Sequence, residues 1–140
     1  MPALALLTSA IMWIALDQLT KIIVLYLFGP GQAVSFGMIT IRKVLNRRVS
    51  GRFLQSDAAL VTLWIAEVVL LATVVQFGPF FQGAVAPIAL GTALGGAGSN
   101  LIDRLWRHGV VDFIDLTFWP VFNLADVGIV MGALIGILYI

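Results

Sequence analysis

The stretch ALGTALGGAGSNLID, residues 89–103, is apolar and rich in small side chains until it ends on an Asn and an Asp three residues apart. Small residues let helices approach closely within a membrane, whereas a carboxylate in or beside an apolar helix is costly. The polar pattern recurs as NLAD at residues 123–126. The near-repeat therefore predicts two helix ends that carry matching polar groups.

The composition around this stretch is that of a membrane protein. Of the 140 residues, 61% are hydrophobic and 11% are charged, whereas a soluble domain carries about 25% charged residues. So much apolar surface cannot be hidden inside so small a soluble domain. We therefore expect a polytopic membrane protein that forms one domain over residues 1–140.

The same composition argues against several classes of function. The chain has no cysteine and a single histidine, His108, so we expect no disulfide, no metal site and no cofactor. The net charge is +1, and the basic residues lie in short connections rather than in an extended stripe, so we expect no nucleic-acid partner.

Four segments reach the length of about 20 residues that a membrane-spanning helix needs. They are residues 4–28, 58–77, 80–102 and 120–140. The first connection contains AVSFGMITIRKVL and the third contains GVVDFIDL, and both stretches are typical of short strands. The sequence therefore predicts an all-α membrane protein with four transmembrane helices and a small β-like surface element built by the first and third connections.

Ionisable residues within these segments are functional-site hypotheses by default. Asp17 and Lys21 are four residues apart on one helix face, which predicts a local ion pair. Glu67 has no local partner. We expect it to pair with Lys21 or a helix end, or to face a cavity.

The two Asn-x-x-Asp copies lead to a chemical hypothesis. If the third and fourth helices are antiparallel neighbours, Asp103 and Asp126 meet near one membrane face. Two carboxylates held close together share a proton, and such a pair can supply the base and the acid that peptide hydrolysis requires. The alternative is that each Asp caps a helix end or pairs with Arg104.

A second pair of acids, Asp112 and Asp115, lies between these copies. In a strand, residues three apart point to opposite faces. We therefore expect a solvated loop edge and turn partners here, with Asp112 available to hold Arg104 or Arg107.

The basic residues give a first indication of topology. Five lie in the first connection and two in the third, namely Arg42, Lys43, Arg47, Arg48, Arg52, Arg104 and Arg107. The positive-inside rule alone would place both connections in the cytoplasm and both termini outside.

Three blocks of the sequence resemble a known family over the whole chain. DQLTK, GGAGSNLIDRLWRHGVVDFIDL and FWPVFNLADVGIVMG are similar, in order and spacing, to the signature blocks of the bacterial lipoprotein signal peptidases (type II signal peptidases). The resemblance implies an intramembrane aspartic endopeptidase. Such an enzyme removes signal peptides from diacylglyceryl-modified prolipoproteins and cuts before the lipidated Cys.

The resemblance also implies roles for individual residues. Asp103 and Asp126 match the catalytic pair. The remaining matched positions are the supporting Asn100 and Asn123, Arg104 near the substrate, Asn46 in the substrate-contacting first loop, and the structurally important Asp17 and Lys21. In the first-loop block this chain reads NRRVSGRF where the family typically has Asn-x-Gly, which indicates an altered specificity.

The location implied by the resemblance is the bacterial cytoplasmic (inner) membrane, in which the protein would be a multi-pass monomer surrounded by lipid. Both termini would be cytoplasmic, with the active site and the β-like element at the outer face. This topology is the opposite of the one that the basic residues alone indicate.

Two functions of other classes stay open at this point. One is a non-catalytic membrane protein of the same fold that binds lipidated peptides. The other is a small proton-coupled transporter, for which Asp17, Lys21 and Glu67 would suit an ion path, although four spans are few for a transporter.

Overall fold

The computed structural model describes residues 1–47, 56–78, 81 and 83–139. Arg48, Arg52 and most of the atypical NRRVSGRF block lie outside the described residues. The elements, in chain order, are α1 (Pro2–Leu27), β1 (Ala33–Phe36), β2 (Ile39–Asn46), α2 (Asp57–Phe77), α3 (Val85–Arg107), β3 (Val110–Asp115) and α4 (Leu124–Leu138).

The four predicted helices are present, and three of them are long and apolar enough to cross a membrane. These three are α1, α2 and α3, with 26, 21 and 23 residues. The fourth helix, α4, is equally apolar but has 15 residues. At about 1.5 Å per residue this length gives roughly 22 Å, less than the bilayer's hydrocarbon core of about 30 Å.

The predicted β-like element is confirmed as a three-stranded antiparallel sheet in the order β1-β2-β3. The first connection forms β1 and β2, and the third forms β3. The register pairs Asn46 with Val110 and Thr40 with Asp115. The chain then turns back, and Phe122 forms a bridge with Ile114 just before α4 begins. The sheet therefore holds both ends of the segment that joins α3 to α4.

Helix α3 is the central element and packs most extensively against α4 and α1. Its small residues make this packing possible. A Cβ atom built on Gly95 would lie 2.5 Å from the carbonyl oxygen of Ala10 in α1, and one on Gly96 would clash with the carbonyl oxygen of Ala125 in α4. These two adjacent glycines let the backbones of α1 and α4 approach α3 from two sides.

Two boundaries differ from the predicted ones, and both differences concern the polar repeat. Helix α3 continues through Asp103 to Arg107. The predicted boundary was too early because it followed the apolar run, and hydrophobicity alone does not show that charged residues continue a helix. Helix α4 begins at Leu124, and Asn123 is its N-cap rather than part of the span. The first Asn-x-x-Asp is thus helical, whereas the second forms a helix cap.

The outer faces of the helices carry large exposed apolar side chains, as expected where lipid replaces water. Examples from α1, α2 and α4 are Ile11, Met12, Leu19, Ile22, Leu63, Ile65, Val69, Leu70, Val130, Leu134 and Ile137. The interior between α1, α2 and α3 is apolar too, and is formed by Leu6, Ala10, Val75, Phe81, Ala86, Leu90 and Leu94.

Candidate active site

A buried cluster of charged groups lies where α1, α3 and the start of α4 meet. We call Asp17, Lys21, Asp103 and Arg107 the charge cluster. The Nζ atom of Lys21 lies 2.6 Å from Asp17 Oδ2 and 2.9 Å from Asp103 Oδ2. Arg107 forms an ion pair with the other oxygen of Asp103, and the side chains of Asp17, Lys21 and Asp103 are fully buried. Two cations thus balance two carboxylates.

The charge cluster is saturated with hydrogen bonds. Gln18 donates to Asp103 Oδ1 at 2.9 Å and accepts from Arg107 at 2.9 Å. Ser99 donates to Asp17 Oδ2 at 2.6 Å. The predicted Asp17–Lys21 ion pair is confirmed, while Lys21 also contacts Asp103 rather than Glu67.

Two backbone contacts connect the charge cluster to the segments that follow it. Asp103 Oδ2 accepts from the backbone N–H of Val111 at 2.9 Å. Asp17 Oδ1 accepts from the backbone N–H of Ala125 at 2.8 Å. Val111 immediately precedes Asp112, and Ala125 immediately precedes Asp126. The charge cluster therefore fixes the backbone beside two other acids.

Those two acids belong to a second polar group, which we call the amide–carboxylate cluster: Asn46, Asn100, Asp112, Asn123 and Asp126. The Nδ2 atom of Asn123 donates to Asp112 Oδ1 at 2.9 Å, and its backbone N–H donates to Asp126 Oδ2 at 3.2 Å. Its Oδ1 atom in turn accepts from the backbone N–H of Asp126 at 2.9 Å, which completes a capping box. Asn123 therefore holds both carboxylates.

The remaining members each bind one acid. Asn46 Nδ2 donates to Asp112 Oδ2 at 3.2 Å, and Asn100 Nδ2 donates to Asp126 Oδ1 at 2.9 Å. Asn100 Oδ1 accepts from Lys21 at 3.0 Å and from Asn123 at 3.0 Å. Asn100 is thus the bridge between the two clusters.

The electrostatic surroundings of Asp112 differ from those of an ordinary surface acid. The pKa of Asp112 is raised from 3.8 to about 6, chiefly by burial and also by the neighbouring charge of Asp126, while hydrogen bonds from Asn46 and Asn123 and the charge of Lys21 act in the opposite direction. Only 5% of the residue is exposed. The expectation that Asp112 forms a solvated loop edge is therefore wrong, because the strand that carries it is buried. Among the described residues, its side chain accepts hydrogen bonds from Asn46 and Asn123.

Asp115 follows the expectation for a turn residue on the opposite strand face. It accepts from the backbone N–H of Thr117 at 2.8 Å and pairs with Arg42 at 2.6 Å. Both contacts lower the pKa of Asp115 below its usual value, and the hydrogen bond from Thr117 has the larger effect. Asp115 therefore stabilises the turn and lies outside both clusters.

Asp126 borders two cavities. The first, which we call the polar cleft, has a volume of about 400 Å³ and lies between α2, α3 and α4. Its polar lining residues are Glu67, Asn100, Arg104 and Asp126. The second is an apolar groove of about 340 Å³ whose lining includes Trp119, Phe122 and Met131 beside Asp126. Asp126 is therefore the acid that lines both cavities.

The sequence-predicted residues are thus distributed over both clusters. Asn100, Asn123, Asn46 and Asp126 come together in one cluster, which contains Asp112 and not Asp103: Asn46 and Asn123 bind Asp112, and Asn100 binds Asp126. Asp103 and Asp126 are linked through Lys21 and Asn100 rather than directly. Asp112, which the sequence analysis assigns to a solvated loop edge, is instead the buried acid of this cluster. The sequence signal for the burial of Asp112 is that its neighbours Val110, Val111 and Phe113 are all apolar, which indicates a strand buried on both faces.

Together, the fold and the site define a helical membrane protein with a carboxylate-containing cleft between its helices. The sequence pattern of the family described as "Signal peptidase (SPase) II" matches residues 9–140. The chain belongs to this family of lipoprotein signal peptidases, and is accordingly a protease.

Individual relatives and solved structures agree with this assignment. The lipoprotein signal peptidase of Mycobacterium tuberculosis is 37% identical over 141 residues, which are 93% of this chain and 67% of the relative. That of Rhodococcus jostii is 36% identical over 130 residues, or 87% of this chain and 65% of the relative. A bacterial membrane enzyme solved by the in meso method at 1.9 Å resolution superposes with a TM-score of 0.76 at 25% identity, covering 95% of this chain and 90% of that one.

Proposed function

We propose that the protein is an intramembrane aspartic endopeptidase that removes signal peptides from diacylglyceryl-modified prolipoproteins and cuts before the lipidated Cys. We further propose that Asp112 and Asp126 are its catalytic pair. The observation that carries the proposal is that one residue, Asn123, binds both carboxylates, Asp112 through its side chain and Asp126 through its backbone N–H, and that Asp126 lines a cleft between the helices.

The choice of Asp112 over Asp103 rests on what surrounds each acid. A catalytic carboxylate has to exchange protons during the reaction. Asp103 is fully buried and both of its oxygens are occupied by ion pairs with Lys21 and Arg107. Asp112 has amide partners and a raised pKa, so it can carry a proton near neutral pH.

The proposed reaction uses one water molecule between the two acids. The raised pKa of Asp112 favours Asp112 as the carrier of the shared proton, although the two groups titrate as a pair. The ionised Asp126 accepts a proton from the water molecule while the water oxygen attacks the carbonyl carbon of the scissile peptide bond. Asp112 donates its proton to the carbonyl oxygen, and a tetrahedral diol forms.

The second half of the reaction returns both acids to their starting states. The C–N bond of the tetrahedral centre breaks while Asp126 gives its proton to the leaving nitrogen. Asp112 takes back the hydroxyl proton as the new carboxyl group forms. Atoms and charges balance, because each acid accepts one proton and donates one over the full reaction.

The charge cluster has a positioning role in this proposal. Asp103 holds the backbone next to Asp112, and Asp17 holds the backbone next to Asp126. Lys21 lies between Asp17 and Asp103. Rigid placement of reacting groups contributes several kcal/mol to catalysis (roughly 7–11 for ideal alignment), and buried ion pairs are a means of fixing geometry.

Substrate contacts are proposed for Arg104 and Asn100, which line the polar cleft beside Asp126. Their side chains can donate hydrogen bonds to carbonyl oxygens of an extended peptide segment. In this arrangement the signal peptide enters laterally between α2 and α4, and the acyl chains of the lipidated Cys stay in the bilayer. The protein acts as a monomer in the inner membrane, with both termini cytoplasmic.

The experiment follows a diacylglyceryl-modified precursor incubated with purified protein in detergent, with product masses as the readout. We expect cleavage at the bond before the lipidated Cys, and much slower cleavage of the same precursor without its lipid. A folded protein that cuts neither precursor would contradict the proposal. Binding without cleavage would point to the non-catalytic alternative.

A further inference from the structure

Glu67 is an acid that the proposed mechanism does not use. It is the one ionisable residue of α2 beyond the first helical turn, in a helix that is otherwise apolar enough to span a membrane. Its side chain lines the polar cleft together with Arg104 and Asp126. Among the described residues, no ion pair includes Glu67.

The position of Glu67 in the cleft follows from the geometry of α2. Leu60, Leu63, Trp64 and Glu67 line the cleft at helical spacing. Trp64 Nε1 donates to the carbonyl oxygen of Leu94 in α3 at 3.1 Å, which fixes this face of α2 towards the cleft. Ten residues separate Glu67 from Asp57 at the start of α2, or about 15 Å along the axis. Glu67 therefore lies deep within the span, far from the sheet.

A signal peptide in the cleft would change the surroundings of this carboxyl group. The peptide's apolar segment would displace water, and a carboxyl group without a donor then carries a large desolvation cost. The backbone N–H groups of a helical peptide are already bonded within the helix. Of the peptide's own groups, only a side chain can then donate a hydrogen bond to Glu67.

We propose that Glu67 is a specificity-determining residue that selects signal peptides with a hydrogen-bond-donating side chain (Ser, Thr or Lys) within their apolar segment. This inference rests on the proposed function, because it places the signal peptide in the polar cleft. A site built around a polar group discriminates strongly against a ligand that leaves that group unpaired. Glu67 thus disfavours a uniformly aliphatic segment and favours one with a donor at the matching depth.

The test uses a set of lipidated precursors that differ at one position. A Ser replaces Leu at each of about eight successive positions, or two helical turns, upstream of the cut. The measured quantity is kcat/KM for the wild type, Glu67→Leu, Glu67→Gln and the control Thr73→Leu. Thr73 is an exposed polar residue of the same helix that does not line the cleft.

We expect the wild type to prefer Ser over Leu by about tenfold, the cost of one unmet hydrogen bond, at one position and its neighbours one turn away. Glu67→Gln and Thr73→Leu should keep this preference, while Glu67→Leu should lose it and cleave the all-Leu precursor better than the wild type does. Equal preference at all positions, or an unchanged preference in Glu67→Leu, would overturn this assignment alone. Absence of cleavage of every precursor would overturn the proposed function and this assignment with it.

Discussion

Asp103 and Asp112 are both buried acids, yet their neighbours give them opposite properties. Asp103 is neutralised by Lys21 and Arg107, whereas Asp112 faces amide groups and the charge of Asp126. Asp103 thus forms part of a charge-balanced structural cluster. A neighbouring acid disfavours the ionised form of a carboxylate, so that a carboxyl group in such a place binds a proton more readily.

The raised pKa of Asp112 predicts a particular dependence of stability on pH. Because the folded protein binds this proton more tightly than the unfolded chain does, the contribution of Asp112 to stability is fully present below about 3.8 and is lost as pH rises through about 6. Over this window the melting temperature of the wild type should therefore fall relative to that of Asp112→Asn. Thermal unfolding in detergent, followed by tryptophan fluorescence, measures the melting temperature of each protein at each pH. If the two melting temperatures change in parallel with pH, the pKa of Asp112 is not raised.

Removing the charge of Asp103 should affect folding. Asp103→Asn removes the counter-charge of Arg107 and one of the two counter-charges of Lys21. Breaking such a buried pair costs about 3–5 kcal/mol of unfolding free energy. The matched control is Asp115→Asn, which breaks the exposed pair with Arg42 and should cost a small part of that. Denaturation of both variants in one detergent gives the comparison; equal stabilities would show that the charge cluster is not a structural unit.

At the scale of elements, the approach of α4 to α3 determines where Asp126 lies. Gly96→Ala would push a methyl group against the carbonyl oxygen of Ala125, and such overpacking costs about 1–3 kcal/mol. We expect lower stability and a lower kcat, since Ala125 precedes Asp126. Gly83→Ala is the control because a Cβ atom there meets nothing within 4 Å. Unimpaired cleavage by Gly96→Ala would show that α4 tolerates displacement.

The sequence predicted the helices and the sheet because both are governed by local hydrophobic pattern. It also predicted that the two Asn-x-x-Asp copies approach each other, which the bonds between Asn100 and both Asn123 and Asp126 confirm. It could not show which acid lies beside Asp126. That depends on the register of β3 and on the cations of α1 and α3 around Asp103, which are contacts between segments distant in sequence.

At the scale of the whole molecule, the charge distribution and the family topology disagree. The sheet carries Arg42 and Lys43, and Arg47 follows it, so the basic side of the protein would face outward. Basic residues next to a membrane attract anionic lipid headgroups. The short helix α4 can complete a fourth crossing where the bilayer thins locally.

Labelling of single cysteines determines this topology. The chain has no native cysteine, so Ser35→Cys in β1 and Gln76→Cys near the end of α2 each introduce one reactive site. A membrane-impermeant maleimide should label Ser35→Cys in intact spheroplasts, and Gln76→Cys only after lysis. The reverse pattern would place the sheet and the candidate site in the cytoplasm.

The most direct test of the proposed catalytic pair is the single-turnover cleavage rate of a diacylglyceryl-modified precursor by Asp112→Asn, Asp126→Asn and Asp103→Asn, each corrected for its folded fraction. We expect Asp112→Asn and Asp126→Asn to remain folded and to lose at least about 10²–10⁴-fold in rate. Asp103→Asn should lose folded protein, with a smaller loss in the corrected rate, because Asp103 positions the backbone beside Asp112 without exchanging a proton. Near-wild-type cleavage by folded Asp112→Asn, together with a folded but inactive Asp103→Asn, would contradict the account and return the catalytic role to Asp103.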